Sequence, residues 1–245
     1  MSTFAVILPA AGRSSRFHDK HYKKPFIPLE NKAVWLHSAE KFLNRDDVKQ
    51  VILVISPEDR EEFDGKFAAN VMILGIDVVP GGKERSDSIA NALAKVKPEV
   101  DYIAVHDAAR PCIANEWIDN VFAAAEKSGA AILALPIAGT IKRVANGNIE
   151  ETVPRANLWE AQTPQVFRRE LLLQAYEKRG DQPATDDAEL VERLGKPVAI
   201  VEGSPINLKI TTKADLRLAA QALKALPKPK ILGGLHPFES DDMWR

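Results

Sequence analysis

Only one cysteine, Cys112, occurs in 245 residues. That excludes an internal disulfide framework and any zinc site built on cysteines. An excess of one charge is also missing. The 33 Lys and Arg stand against 34 Asp and Glu, for a formal net charge of −1. A global positive field for nucleic acid is therefore absent, and only a local basic pocket stays open. No apolar run approaches the ~20 residues that a membrane-spanning helix needs. The start, Met1-Ser2-Thr3-Phe4, has no basic stretch or cleavage site, and the apolar residues behind it stop at Pro9. The expectation is a cytoplasmic enzyme or binding protein with neither nucleic acid nor membrane as partner.

What is present alternates. Short apolar runs at Phe4 to Leu8, Val51 to Ile55, Ile76 to Val79, Tyr102 to Val105 and Ala130 to Leu135 read as strands. Segments with helical spacing stand between them, at Ala33 to Leu43, after Ser56-Pro57, at Asp87 to Val96 and at Asn115 to Lys127. This alternation predicts an α/β fold, a Rossmann-like, mostly parallel sheet with helices on both faces. The rhythm breaks at Gly139 to Arg155, where Asn146-Gly147 separates two short runs. Asn-Gly in that setting predicts a protruding β-hairpin arm, over about residues 138–156. An isolated hairpin is marginal in water, so it is expected to pack on something, with a second subunit as the candidate. Helices are expected again at Arg169 to Lys178, Ala188 to Leu194 and Ala214 to Leu226, and strands at Val198 to Val201 and Asn207 to Ile210. Residues 1–226 read as one domain, and 227–245 as a poorly ordered tail.

Ligands of such a sheet bind beyond the carboxyl ends of its strands, so the loops there carry the chemistry. The first is Pro9-Ala10-Ala11-Gly12-Arg13-Ser14-Ser15-Arg16, with Lys23 and Lys24 beyond it. Small residues let backbone N–H groups approach a phosphate chain, and the arginines add positive charge. It is neither a Walker A loop nor a Gly-x-Gly-x-x-Gly loop, and a tight surface turn with solvated charges is the bland alternative. The second is Gly81-Gly82-Lys83-Glu84-Arg85-Ser86-Asp87-Ser88. Its glycines offer backbone donors and acceptors to a nucleobase edge, with the Ser88 hydroxyl nearby; alone it reads as a turn and a helix start. The third is His106-Asp107-Ala108-Ala109-Arg110-Pro111. Asp107 stands where a phosphate-bridging Mg²⁺ needs a carboxylate, and Arg110 could fork a phosphate. The alternative is an Asp107–Arg110 ion pair that shapes the turn. His106 has no second histidine at a metal spacing and reads as a packed residue. Lys209 lies in an apolar run, which sets it apart from surface lysines. Asp186 with Glu189 fits a helix cap.

Together these loops resemble the nucleotidyltransferases that make nucleoside-diphosphate sugars and alcohols. The set Pro9-Ala10-Ala11-Gly12 with Arg16, Gly81-Gly82 with Glu84-Arg85, Asp87-Ser88, His106 to Pro111, Thr140-x-Lys142, Thr163-Pro164-Gln165 and Asn207-x-Lys209 is similar to the 2-C-methyl-D-erythritol 4-phosphate cytidylyltransferases. The likeness runs in order from about Phe4 to about Leu226. It implies attack of methylerythritol phosphate on the α-phosphorus of CTP, with Mg²⁺ present and pyrophosphate leaving, in the non-mevalonate route to isoprenoids. The nucleophile is already an anion, so the difficulty is electrostatic. By resemblance, Arg16 and Lys24 stabilise the transition state, with Lys23 as the alternative to Lys24. Arg155 and Lys209 hold the substrate phosphate. Asp107 is the metal-side carboxylate. Ala10, Ala11, Gly12, Gly82, Lys83 and Ser88 line CTP. Arg110 and Thr140 fall near the polyol phosphate. The resemblance also implies a homodimer whose arms clasp, so that Thr140, Lys142 and Arg155 complete the partner's site. Gly139 and Pro154 stand where the family usually has Asp. Both lie on the arm, and they bear on the rival substrate, another polyol phosphate such as ribitol 5-phosphate. The rival of another class is a non-catalytic nucleotide-binding module, against which the four retained cations count.

Overall fold

A computed structural model describes residues 1–12, 26–180 and 182–227. In chain order the elements are β1 (Phe4–Pro9), β2 (Pro28–Leu29), β3 (Lys32–Ala33), α1 (Val34–Leu43), β4 (Val48–Ile55), α2 (Arg60–Leu74), β5 (Asp77–Pro80), α3 (Arg85–Leu93), β6 (Tyr102–Val105), α4 (Asn115–Ser128), β7 (Ala130–Pro136), β8 (Ile141–Ala145), β9 (Asn148–Val153), β10 (Trp159–Arg168), α5 (Arg169–Glu177), α6 (Asp187–Arg193), β11 (Ala199–Glu202) and α7 (Lys213–Lys224). A 3₁₀ turn, Pro57–Asp59, precedes α2, with Ser56 as its N-cap and Pro57 in its first position.

Seven strands form one sheet in the order β11-β7-β10-β6-β1-β4-β5. The β1–β4, β1–β6, β4–β5 and β7–β11 pairs are parallel, and β10 runs antiparallel to both its neighbours. Successive side chains of a strand point to opposite faces, and both faces are filled here. Val6, Leu8, Val51 and Leu53 pack with Trp35 and Phe42 of α1, Phe63 of α2 and Phe122 of α4. Ile7, Ile52 and Val54 pack on the other face with Ile89 of α3, Leu172 of α5 and Val191 of α6. The unbroken apolar runs of β1 and β4 follow from this double burial. A third cluster seats Ala219 of α7 on Ile27, Leu29, Val34, Cys112 and Ile210.

Two expectations need correction. The sequence reading put no strand at 159–168, yet β10 lies in the sheet between β6 and β7. Pro164 argues against a central strand because it cannot donate to the ladder. The chain accommodates it at a register shift between Ala161 and Gln165 in the β7 pairing, where the ladder lapses. Conversely, Asn207 to Ile210 is not a strand. Its backbone bonds are local or to one loop: Leu208 N–H donates to Ile206 O at 2.7 Å and Ile210 N–H to Ala109 O at 2.8 Å.

The hairpin arm is present. β8 and β9 form their own two-stranded sheet, joined by Asn146-Gly147 with φ of 51° and 80°. Both residues are left-handed, which is the two-residue turn that Asn-Gly favours. Nearly every side chain of the two strands is exposed.

Candidate active site

Side chains from well-separated parts of the chain converge on one carboxylate. Asp107, just beyond β6, is buried, with Oδ2 2.8 Å from Lys209 Nζ and 3.3 Å from Arg110 Nε. Its N–H donates to Thr163 Oγ1 at 3.0 Å. Burial works to raise the carboxyl pKa. The charges of Lys209, Arg85 and Arg110 outweigh it and hold Asp107 well below the usual carboxylate range. Asp107 is thus a fixed negative charge at any physiological pH. No hydrogen bond engages its Oδ1 among the described residues.

Lys209 reaches this point because its segment is latched from both sides. Asn207, fully buried, donates Nδ2 to Gln162 Oε1 at 3.2 Å and to Thr163 O at 2.9 Å, and its own carbonyl accepts Arg110 Nη1 at 2.7 Å. Gln162 Nε2 donates to Ser204 O at 3.0 Å. Gly203 sits at the base of the latch, where a Cβ would lie 2.4 Å from Gln162 Oε1 and displace the amide that holds Asn207. Arg110 forms the turn-shaping ion pair. With Nε and Nη1 engaged and the side chain only 8% exposed, only Nη2 has no hydrogen bond among the described residues. A two-nitrogen fork toward phosphate is therefore not available in this arrangement. His106 is a packed residue. Its Nε2 donates to the Arg110 carbonyl at 3.1 Å, so Nδ1 accepts from the Thr163 hydroxyl at 3.2 Å, and burial pushes its pKa down to about 4.

The glycine loop differs in detail from the sequence reading. Gly81 N–H donates to Ile55 O at 2.7 Å, and Gly82 N–H to Ser88 Oγ at 3.0 Å. Ser88 in turn donates to Glu84 O at 3.1 Å. The pair thus has no free N–H, and the Ser88 hydroxyl closes the loop. The Gly81 and Gly82 carbonyls accept no hydrogen bond among the described residues. A Cβ on Gly81 would meet Ala11 Cβ at 2.4 Å, and one on Gly82 would meet Asp87 Cβ at 2.3 Å. The loops after β1 and β5 therefore touch, and Ala10 is fixed by its N–H to Val54 O at 2.7 Å. Gly12 and Lys83 are exposed beside them. Arg16, Lys23 and Lys24 lie outside the described residues.

Thr140 and Arg155 are on the arm and exposed. Arg155 donates to the Ala138 carbonyl, and Lys142 Nζ lies 2.7 Å from Thr152 Oγ1. No hydrogen bond or ion pair joins these residues to Asp107, Arg110 or Lys209 among the described residues.

Residues 4–225 match the family model described as 2-C-methyl-D-erythritol 4-phosphate cytidylyltransferase. The chain belongs to this cytidylyltransferase family. A cytidylyltransferase of that description from Rhodopirellula baltica is 42% identical over 233 residues, spanning 91% of this chain and 95% of that one. One from Bacillus licheniformis is 40% identical over 225 residues, spanning 91% and 96%. The solved 2-C-methyl-D-erythritol 4-phosphate cytidylyltransferase from Thermus thermophilus is similar with a TM-score of 0.74 at 30% identity, over 91% of this chain and all of that one.

Within this cytidylyltransferase chain, a second charged group escaped the sequence reading. Asp187 has a fully buried side chain. Its Oδ2 accepts Arg85 Nη2 at 2.7 Å and its Oδ1 accepts the Tyr176 hydroxyl at 2.5 Å. Gln165 Oε1 accepts the N–H groups of Asp187 and Ala188 at 3.1 and 3.0 Å. Leaving such a carboxylate unpaired typically costs about 3–5 kcal/mol. The only local signal was a doubled Asp186-Asp187 where one suffices to cap. Asp186 is indeed the cap, accepting Glu189 N–H at 2.9 Å.

Proposed function

We propose that the carboxyl edge of the sheet performs the family's reaction, transfer of CMP from CTP to 2-C-methyl-D-erythritol 4-phosphate with release of pyrophosphate. The observation that carries this reading is the Lys209 ammonium fixed 2.8 Å from buried Asp107. An ammonium has three donors, so two remain for a phosphate oxygen. The Lys209 side chain is 44% exposed, so it can meet one. Asp107 holds that charge in place before the substrate arrives. The phosphate of the polyol is then oriented against the α-phosphorus of CTP, and the mutual repulsion of two anions is offset in advance.

CTP lies along Ala10, Ala11 and Gly12, with its base against the Gly81-Gly82 loop. The two unengaged carbonyls there suit the amino group of cytosine, which donates; a uracil carbonyl at that position would repel them. Ser88 acts by shaping the loop, and Lys83 lies alongside. The resemblance assigns transition-state stabilisation to Arg16 and Lys24. Asp107 fits a Mg²⁺: it is ionised, it keeps Oδ1 unengaged, and among the described residues no cluster of three acidic, His or Cys side chains offers a richer site. Mg²⁺ held by one carboxylate and the substrate phosphates would neutralise charge on the triphosphate.

The same proposal includes a cytoplasmic homodimer in which Arg155 and Thr140 of one arm enter the partner's site. The exposed apolar side chains Val144, Ile149, Leu158 and Trp159 on and beside the arm support it. The cytoplasmic setting rests on the nucleoside triphosphate co-substrate. No described helix is long and apolar enough to cross a membrane. Residues 1–226 act as one domain, supported by the single sheet that both main cores share. The reading of 227–245 as a tail lies, from residue 228 on, outside the described residues.

The test is pyrophosphate release from CTP and Mg²⁺ with methylerythritol phosphate or ribitol 5-phosphate as acceptor. Release with methylerythritol phosphate alone is expected. Release with ribitol 5-phosphate alone would move the acceptor assignment, and binding of CTP without release would overturn the assignment of a transferase.

A further inference from the structure

Arg85 is the first residue of α3, three positions after Gly82. Its Nη2 is anchored by Asp187, and Asp187 is anchored in turn by the Tyr176 hydroxyl. Gln165 Oε1 holds the helix start that carries Asp187, and Gln165 stands two residues from Thr163, which fixes the Asp107 backbone. The anchor therefore belongs to the same polar scaffold as the Asp107–Lys209 pair. The Arg85 side chain is 30% exposed, and its Nε and Nη1 make no hydrogen bond among the described residues. A guanidinium held at one corner by a buried carboxylate loses little further freedom when the free edge takes an anion.

Arg85, Arg110 and Lys209 stand with two buried carboxylates, Asp107 and Asp187, and Arg85 and Asp107 feel each other's charge. Of the three, Arg85 has the largest unengaged donor edge, since Arg110 is covered and Lys209 is a point charge.

We propose that Arg85 is a further substrate-binding residue of this enzyme, presenting its Nε and Nη1 edge to a phosphate group while Asp187 and Tyr176 hold it in place. The proposal rests on the glycine loop and the Asp107 group forming the reaction site. The phosphate belongs either to CTP or to the polyol phosphate, and the kinetics tell which.

Arg85→Met alone strands buried Asp187, so the decisive variant is Arg85→Met/Asp187→Asn, which removes both charges and keeps a hydrogen-bonding partner for Tyr176. Its melting temperature is measured first, beside its kinetics and those of the unaltered protein in one assay. Loss of turnover in Lys209→Ala, run in the same assay, places the reaction beside Asp107 independently of Arg85. A folded double variant with a KM raised at least about tenfold for one phosphate substrate is expected, the size of a lost charge-assisted contact. A rise confined to CTP places the triphosphate on Arg85; a rise confined to the acceptor places the polyol phosphate there. Conservative Arg85→Lys, which keeps the charge beside Asp187, is expected to recover part of the loss. Both KM values and kcat within twofold of the unaltered protein, with only the melting temperature changed, would reduce Arg85 to a structural ion pair and overturn the proposal.

Discussion

Asp107, Arg110 and Lys209 are tied to one another and to Thr163, Asn207 and Gln162, so their charges are in place before any ligand binds. Thr140, Lys142 and Arg155 belong to a hairpin whose side chains are almost all exposed and whose polar contacts are made within the arm or to Ala138 just before it. The first group is preorganised by one chain. The second has the residue types for phosphate binding, but among the described residues its side chains bond only to the arm itself and to Ala138. Preorganisation is what electrostatic stabilisation requires, because charges that need not reorganise act at full strength in the transition state. In the proposed dimer, a second chain supplies the surface that the arm meets.

The largest expected effect is on the preorganised side. Lys209→Ala should lower kcat by about 10²–10³-fold, as losing a fixed donor beside a reacting phosphoryl group does elsewhere. The fold should survive, because the Lys209 side chain is 44% exposed and the latch runs through Asn207. Steady-state turnover together with a melting curve measures both. Near-normal turnover in the folded variant would remove Lys209 from the site and leave Asp107 only its proposed place beside the metal.

The second test asks whether the arm belongs to the partner's site. Arg155→Ala should slow turnover about tenfold to a hundredfold through loss of one phosphate contact. The informative step is mixing it with Lys209→Ala chains after unfolding and refolding together. If Arg155 serves the partner and Lys209 its own chain, each mixed dimer regains one intact site. Activity should then return to about a quarter of that of the unaltered protein, since half of randomly paired dimers are mixed. No recovery would mean that Arg155 and Lys209 act on the same chain's substrate, and the contrast between the two regions would lose its functional meaning.

The sequence was most legible where one physical cause acted locally. β1, β4, β6 and β7 were readable because strands buried on both faces need unbroken apolar runs. The arm was readable because Asn146-Gly147 has little other use than a two-residue turn. β10 was hidden by Pro164, whose effect is local while its remedy, a lapse in the ladder with β7, is set by a strand about thirty residues away. Asn207 to Ile210 reads as a strand from its apolar residues, whereas Asn207 is held by the latch and Ile210 packs in the third cluster. In the site, Asp107, Arg110 and Lys209 are legible as residues, and the Asp107–Arg110 pair as one of two readings. The meeting of Lys209 with Asp107 is not, and neither is the Arg85–Asp187 pair, whose members lie 102 positions apart. The glycine pair shows the limit well: the residue type was informative, but which backbone groups remain free depended on Ser88 and Ile55.

The smallest expected effect is also the most selective. Val144 and Ile149 are 59% and 66% exposed, so replacing both by Ser removes apolar surface that the single chain does not use. Stability of the separated chain should change by no more than about 0.5 kcal/mol per substitution, as for other surface positions. If the arm is an interface, burial of each side chain there contributes about 1–2 kcal/mol, so the dimer dissociation constant should rise at least tenfold. Sedimentation over a range of concentrations reads the association, and thermal melting at high dilution reads the chain itself. Weakened association with an unchanged chain would separate the two regions cleanly: one stabilised within its own chain, the other only between chains. An unchanged dissociation constant would place the interface elsewhere. Arg155 would then need a wall from its own chain, and the hairpin would have to close onto the Asp107 cluster when substrate binds.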